Sequence, residues 1–507
     1  MFAKGIIEYL HENGGRVLIL FLLFLLAIYN LYSAGITGFA LICCIPLIPV
    51  IIFFGFHHKM IMFWILFSIN YFIMGSLLYI NLPCPISLPS ELLELTLLFA
   101  ILIDNKNIKI HNINNIMLFA LLMWLFFACI EMFNDTCDLG FHITAWLVEA
   151  RLLVFQLIYI YCIFSFLISD YNRIIKFLYV WAALSIFAAI WAWKQRAIGF
   201  TAAEKSWLYG YAFRTHIVNG IIRYFSFFSD AANFGCNMAS SAITFLILGI
   251  TSHFKRDKII FLLTGSLCVY GMFTSGTRTA IFCFLLGGFL YVFLSKSIKI
   301  AVPVSLIGTI FFILLAFTTI GNGNSMIRRM RTAFDKNDAS GNVRDINKQS
   351  MTKYLKDAPW GMGLGMDTQK VPANNKYKIL SMTPPDSTYV YIWVHTGIIG
   401  VAIFAFMNIL ILLGGCYVVF FRLENPVLRG IGASLCCGFV GINLGGYGNQ
   451  ILTQYPNTFL FYGGMALVYL LPRIEPEYIK FEEEDNLRIA EEKKRKAEKK
   501  KNPFYDL

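Results

Sequence analysis

Long apolar runs recur along this chain, and their length restricts its fold more than any other feature. Read in order, they cover 17–34, 36–56, 60–80, 90–104, 115–131, 145–168, 174–193, 233–252, 258–274, 279–295, 299–320, 388–420, 429–446 and 456–472. Runs of about 17 to 25 apolar residues suit a hydrocarbon core of roughly 30 Å when helical, and they are too long for the strands of an outer-membrane barrel. Composition agrees: 58% of the residues are hydrophobic and 14% charged, with 48 Phe and 25 Tyr, a balance that soluble globular domains do not have. The expected fold is an all-α polytopic membrane protein of about 12–14 transmembrane helices, with a large external loop carrying short helices. The run from Val17 to Gly35 is longer than a secretory h-region and lacks an A-x-A-like exit, so it reads as a retained first span.

The tail from Glu475 ends EEKKRKAEKKKNPFYDL, and by the positive-inside rule it faces the cytosol. Counting back, the cytosolic loops hold Arg422/Arg429, Lys296/Lys299, Lys255/Arg256/Lys258, Arg173/Lys176, Lys106/Lys109 and Lys59. Both termini are then cytosolic. The net charge of +12 reads as topology rather than nucleic-acid binding. Three regions follow: 1–193 as N-terminal transmembrane helices, 194–472 as a core with external loops 194–230 and 321–386, and 473–507 as a charged tail. The tail's acid-before-base spacing suggests a solvated helix that is dispensable for chemistry.

Most of the twelve cysteines lie inside spans as small hydrophobes. No metal-ligand spacing appears. Cys84 and Cys137 fall in external loops, where a disulfide is one option and free thiols the other.

The two long loops are basic although they fall outside the cytosol. They carry Arg214 and Arg223, then Arg328, Arg329, Arg331 and Arg344. Solvated loop charge is one reading; a surface for an anionic ligand such as a lipid phosphate is the other. Arg278, in FTSGTRTAIF between two spans, is either an interfacial arginine or a planar fork of donors for phosphate. Residues Arg223, Ser226, Asp230 and Asn233 stand at the entry to the 233–252 run, where the polar ones suit a helix cap. Within the second loop, 343–355 suits an amphipathic surface helix with Ile346, Met351 and Leu355 partly on one side. The GMGLG at Gly361–Gly365 has no preceding strand and is not a dinucleotide fingerprint; it suits a turn that brings backbone close to a ligand. Asp386, after Pro384-Pro385 and before STYVYIWV, suits a helix N-cap and also a general base acting on a hydroxyl.

Three blocks together resemble the O-antigen ligase and O-antigen polymerase superfamily: RYFSFFSDAANFG from Arg223, SGTRTAI from Ser275, and a long loop ending in GMGLG and DSTYVYIWVHTGIIG. The resemblance covers roughly 220–420. Where the family's last block commonly reads His-Asn, this chain has Asp386-Ser387, while Tyr389, Thr396, Gly397 and Gly400 keep the spacing. The resemblance implies a GT-C-like membrane glycosyltransferase in the bacterial cytoplasmic (inner) membrane, with its site facing the periplasm. Its donor would be an oligosaccharide on polyprenyl (undecaprenyl) diphosphate, and its acceptor a glycan, a lipid core such as that of lipopolysaccharide, or a protein. Similar family members need no metal, so no cofactor is expected; the other partner is membrane lipid, and nucleic acid is not one. The site residues that follow are Asp386 as base and Arg278 at the departing diphosphate, with Arg223, Arg344, Arg328, Tyr389 and Ser387 holding diphosphate or glycan.

Because the family's ligase His is absent, polymerisation of lipid-linked repeats leads over ligation. A polyprenyl-glycan flippase or other transporter is the reading of another class. Against it, the chain shows no matched halves and no Gly- or Pro-broken spans of the kind inverted repeats produce.

Overall fold

The computed structural model describes residues 55–79, 87–103, 109–218, 220–332 and 339–501, with isolated positions between 14 and 53. At 300, 339–345, 485–490 and 492–501 it describes the backbone alone. The expected spans 17–34 and 36–56, and Cys84, fall largely or wholly outside these residues.

The chain divides into two units, residues 1–69 with 79–108, and residues 70–78 with 109–507. Helix α1 (Lys59–Ser76) begins in the first unit, which also contains α2 (Leu88–Ile103). The second unit holds α3 (Ile116–Glu131), α4 (Ile143–Leu167, with a π segment at Arg151–Phe155) and α5 (Tyr171–Ala197). A loop segment follows, with α6 (Ala202–Tyr209) and a hairpin of β1 (Ile217–Val218) and β2 (Ile221–Ile222). Then come α7 (Ala231–Thr251), α8 (Lys255–Thr274), α9 (Arg278–Leu294) and α10 (Ile298–Phe317). The second loop carries α11 (Ser325–Arg331) and α12 (Ala339–Leu355), before α13 (Thr388–Arg422), α14 (Pro426–Gly448) and α15 (Gly463–Lys501).

The protein is an all-α polytopic membrane protein. Among the described residues seven helices are long and apolar enough to cross a membrane, namely α1, α4, α5, α7, α8, α13 and α14. Shorter apolar stretches lie in α3, α9 and α10. Among the described residues, each apolar run from 60–80 onward coincides for most of its length with a helix. The helices start where short polar side chains satisfy free backbone N–H groups: Asn115 accepts from Met117 N, Asp170 from Arg173 N, Asp230 from Ala232 N and Asn233 N, and Asn425 from Val427 N.

Helix α7 is the central post, packed against α8, α9 and α14, with 83% of its apolar window buried. Three buried amides tie it to the segment before α15. Asn457 donates to Asn233 Oδ1 (2.6 Å) and to Ile451 O (2.9 Å), and Asn237 donates to Asn457 Oδ1 (2.8 Å). Side-chain amides bonded across helices hold such a bundle in register where apolar packing alone is permissive.

The tail is more than a solvated helix. At residues 475–482 it straps two turns at its end of the bundle. Glu475, 8% exposed, accepts from Glu424 N (2.8 Å) and Asn425 N (2.6 Å). About two turns further on, Glu482 accepts from Asn425 Nδ2 (2.7 Å) and lies 3.8 Å from His253 Nδ1. Charge-assisted bonds of this kind contribute roughly 1.5–3 kcal/mol. Truncation after Glu484 should therefore leave the thermal midpoint unchanged, whereas Glu475→Ala should lower it by a few degrees; the reverse order would contradict the strap.

Candidate functional site

At the end of the bundle carrying both long loops, three arginines converge on the turn between α8 and α9. Arg223 leaves the hairpin, its backbone N–H bonded to His216 O (2.9 Å). Its guanidinium donates to Thr277 Oγ1 (2.9 Å), Thr215 O (3.0 Å) and Ser275 O (3.4 Å). Arg329 reaches the same turn from α11 and donates from Nε to Gly276 O (2.9 Å). Gly276 has φ of +58°, and a Cβ there would meet Arg329 Cδ at 3.0 Å, so the turn admits both the backbone and the arginine because it has no side chain. Arg278 opens α9 and donates to Thr332 O (3.4 Å).

The placement follows from local sequence. In α11 the apolar residues Ile327 and Met330 pack against Ile281, Leu285, Phe311 and Leu315, and Met326 is buried one turn before Met330. That turns Arg329 toward Gly276 and leaves Arg328 exposed, bonded to Asn322 O (3.1 Å). Desolvation, followed by the charge of Arg329, draws the Arg223 pKa down to about 10, with Arg278 adding to the effect and Asp230 opposing it. Like charges held together this closely favour an anion between them. Behind them, His216 accepts the Ala231 N–H through Nε2 (3.0 Å), and burial, then the Arg223 charge, hold its pKa at about 4.

Asp386 stands at the same end of the bundle. Gly448, the last residue of α14, lies against Thr279, where a Cβ would come within 2.7 Å of that side chain. The next residue, Asn449, accepts through its carbonyl from Thr388 N and Thr388 Oγ1, both at 3.3 Å. Thr279 follows Arg278, and Thr388 is two residues from Asp386, so both segments meet on Gly448–Asn449. The cap of α13 is Ser387, whose side chain accepts from Val390 N (3.2 Å), and not Asp386. The Asp386 carboxylate accepts from Asn347 Nδ2 (3.4 Å). Tyr389 donates to Asn443 Oδ1 (3.5 Å). The side chain of Arg344 lies outside the described residues.

Helix α13 is broken, contrary to the expectation of unbroken spans. Gly397 has φ of +65° and ψ of −168°, and at 1.5 Å per residue the 35-residue helix is about 52 Å long, more than a bilayer core. The GMGLG segment repairs the break. Met362 N donates to Val394 O and Gly363 N to His395 O, both at 2.9 Å, and Ile399 N donates to Pro359 O (3.4 Å). These are backbone groups that the interrupted helix leaves open. A Cβ on Gly397 would lie 1.9 Å from Pro359 O. The glycine-rich turn thus brings backbone close to the protein's own helix.

The rest of the loop forms a small core on this junction. Met351, Leu355, Met362, Met366, Val371 and Leu380 pack with Cys137 and Val394. Of the expected surface-helix face, Met351 and Leu355 are buried here, while Ile346 is 64% exposed. Cys137 is a free thiol that donates to Met362 O (3.4 Å).

Two cavities flank the contact of α9 with α14, with Leu286 and Leu444 lining both. The first, about 900 Å³, is apolar and runs between α7, α9 and α10 past Phe282, Phe289 and Gly308; Leu285 and Phe311 line it and also pack beneath α11. The second, about 450 Å³, lies between α13 and α14 and includes Tyr389, Asn408, Asn443 and Tyr447.

Comparison with known proteins accords with this geometry. Residues 263–405 match the family model described as O-antigen ligase. That segment resembles O-antigen ligases, and it contains Arg278, Arg329 and Asp386. The match supports glycan transfer of this general type. No curated protein matches the chain significantly. Sequence reasoning named Arg223 and Arg278 but left Arg329 among the loop charges; the signal available was the spacing of Met326 and Met330, which sets which arginine of the trio points inward.

The pH dependence of this wall follows from His216. Its pKa is depressed from 6.5 to about 4, so stability is full above about pH 6.5 and falls by up to about 3 kcal/mol as pH drops toward 4. Thermal melts across that window should show this acid limb, and His216→Gln should flatten it; an unchanged limb in the variant would remove His216 as its source.

Proposed function

We propose that this protein is a metal-independent glycosyltransferase of the bacterial cytoplasmic membrane that lengthens surface-polysaccharide repeats carried on polyprenyl diphosphate. The convergence of Arg223, Arg278 and Arg329 on one turn, joined to the Asp386 segment through Gly448–Asn449, is the observation that carries this reading. The end bearing the two long loops is the periplasmic one, opposite the basic tail.

The reaction is a displacement at the anomeric carbon of the donor. The acceptor hydroxyl oxygen forms the new C–O bond while the bond to the diphosphate breaks, and the diphosphate departs with that electron pair on its lipid. The Asp386 carboxylate takes the hydroxyl proton. The three guanidinium groups hold the negative charge that grows on the leaving diphosphate, a preorganised arrangement whose mutual repulsion is relieved as charge develops. The apolar cavity beneath α11 is suited to the polyprenyl chain of that donor, because Phe311 and Leu285 connect its wall to the packing that aims Arg329.

Asp386→Asn should lower turnover about a hundredfold or more at unchanged expression, the scale of a lost general base. Arg278→Lys should be rescued poorly, because the fork and not charge alone is used. Near-wild-type turnover in the first variant would remove Asp386 as base; full rescue in the second would remove the diphosphate fork. Purified protein given only lipid-linked oligosaccharide should lengthen it. Product formed only when a lipid-core or protein acceptor is added would make it a ligase, and no product in either assay would overturn glycan transfer.

A further inference from the structure

We infer that Gln454 is a specificity-determining residue, whose side-chain amide donates to an oxygen substituent of the sugar that the diphosphate carries. This rests on the transfer reaction proposed above and adds the group that reads the transferred sugar.

The segment 449–457, between α14 and α15, is bonded to both sides of the candidate site. On one side, Ile451 N and Leu452 N donate to Thr388 Oγ1 (3.0 and 3.2 Å), two residues from Asp386. On the other, Gln454 Oε1 accepts from Asn233 Nδ2 (3.1 Å) and from the Ser229 hydroxyl (2.8 Å). Ser229 lies six residues beyond Arg223, on the stretch that joins the hairpin to α7. In the proposed reaction the sugar is held between the arginines and Asp386. Gln454 belongs to the segment that connects the two.

Gln454 also ends a directed chain of amides. Asn237 Nδ2 donates to Asn457 Oδ1 (2.8 Å), Asn457 Nδ2 to Asn233 Oδ1 (2.6 Å), and Asn233 Nδ2 to Gln454 Oε1. The three asparagines are buried. Backbone carbonyls set the direction, because Asn457 Nδ2 also donates to Ile451 O (2.9 Å) and Asn233 Nδ2 to Tyr455 O (3.1 Å). A carbonyl only accepts, so neither amide can turn over. Gln454 must therefore present its oxygen to the chain and its Nε2 away from it. Amides linked in one direction polarise each other, which strengthens the terminal N–H groups as donors. Gln454 is half-buried, and among the described residues no acceptor meets its Nε2. The buried asparagines suffice to tie α7 to the segment before α15; Gln454 carries the chain to the surface, where two donors of fixed direction are left for a ligand. A sugar hydroxyl or an acylamino carbonyl supplies the acceptor, and a deoxy position does not. Donors fixed in this way reject the analogue that lacks the oxygen.

Two substitutions test this. Gln454→Met fills the same space without polar atoms, and the donors it releases keep other acceptors, Tyr455 O for Asn233 and Asp230 Oδ2 for Ser229. Gln454→Glu keeps an oxygen for Asn233 and Ser229 but replaces the outward donors with an oxygen that cannot donate. The full-length protein in detergent is titrated with two probes, the polyprenyl-diphosphate repeat extracted from the source cells and sugar-free polyprenyl diphosphate. The readout is the ratio of the two affinities, from which any change in diphosphate binding cancels. Both variants should lower the preference for the sugar-bearing lipid about tenfold, the scale of one lost hydrogen bond. In transfer assays kcat/KM should fall by a similar factor, while the pH profile of kcat stays in place, because Gln454 does not act through Asp386. An unchanged affinity ratio would overturn the inference. Loss of the sugar-free probe by both variants would make Gln454 structural and overturn it too. A ratio that falls as expected in a protein that transfers no glycan to any acceptor would retain Gln454 as the sugar contact and overturn the reaction.

Discussion

A membrane-spanning helix can be interrupted only where something else satisfies its backbone, and this chain interrupts α13 at Gly397 and supplies the partners from sequence some 35 residues earlier. The bonds from Met362 and Gly363 to the carbonyls of Val394 and His395, and from Ile399 to Pro359, replace ladder bonds that the break removes. An unsatisfied backbone group in hydrocarbon costs several kcal/mol, so loop and helix are obliged to form together. The consequence reaches the candidate site. The loop core built on Met362 also holds α12, and Asn347 of α12 is the residue that donates to Asp386.

The arginine cluster is a second, opposing constraint. Three guanidinium groups near one turn repel each other, and the fold bears this cost by binding two of them to the turn's backbone carbonyls and fixing α11 through its apolar face. Carbonyls hold an arginine in place without cancelling its charge. Donors fixed in this way are preorganised, which is the property that stabilising a departing diphosphate calls for. Placing the carboxylate on a separate segment, across Gly448–Asn449, keeps it from neutralising the cluster.

The bundle was legible because span length and composition report the bilayer directly. Arg278 and Asp386 could be named because they stand at helix starts, and Arg223 because it precedes a helix entry, all within recognisable blocks. What was not legible depends on contacts distant in sequence. Glycine serving close approach looks the same whether the approaching partner is a ligand or the chain itself, so Gly361–Gly365 gave no hint of Gly397. Asp386 and Ser387 are both good caps, and one residue of boundary decides between them. Arg328, Arg329 and Arg331 differ only in which side of a seven-residue helix they occupy. Glu475 and Glu482 read as tail charge because the turns they strap, near Asn425 and His253, lie far away in the sequence.

The central claim is that the three arginines receive the donor's diphosphate while Asp386 faces the acceptor. The most direct test is an experimental structure of the Asp386→Asn variant with a polyprenyl-diphosphate oligosaccharide bound. The account predicts diphosphate density among Arg223, Arg278 and Arg329, with the sugar directed toward position 386. Diphosphate bound away from these arginines, or a sugar turned away from position 386, would contradict it.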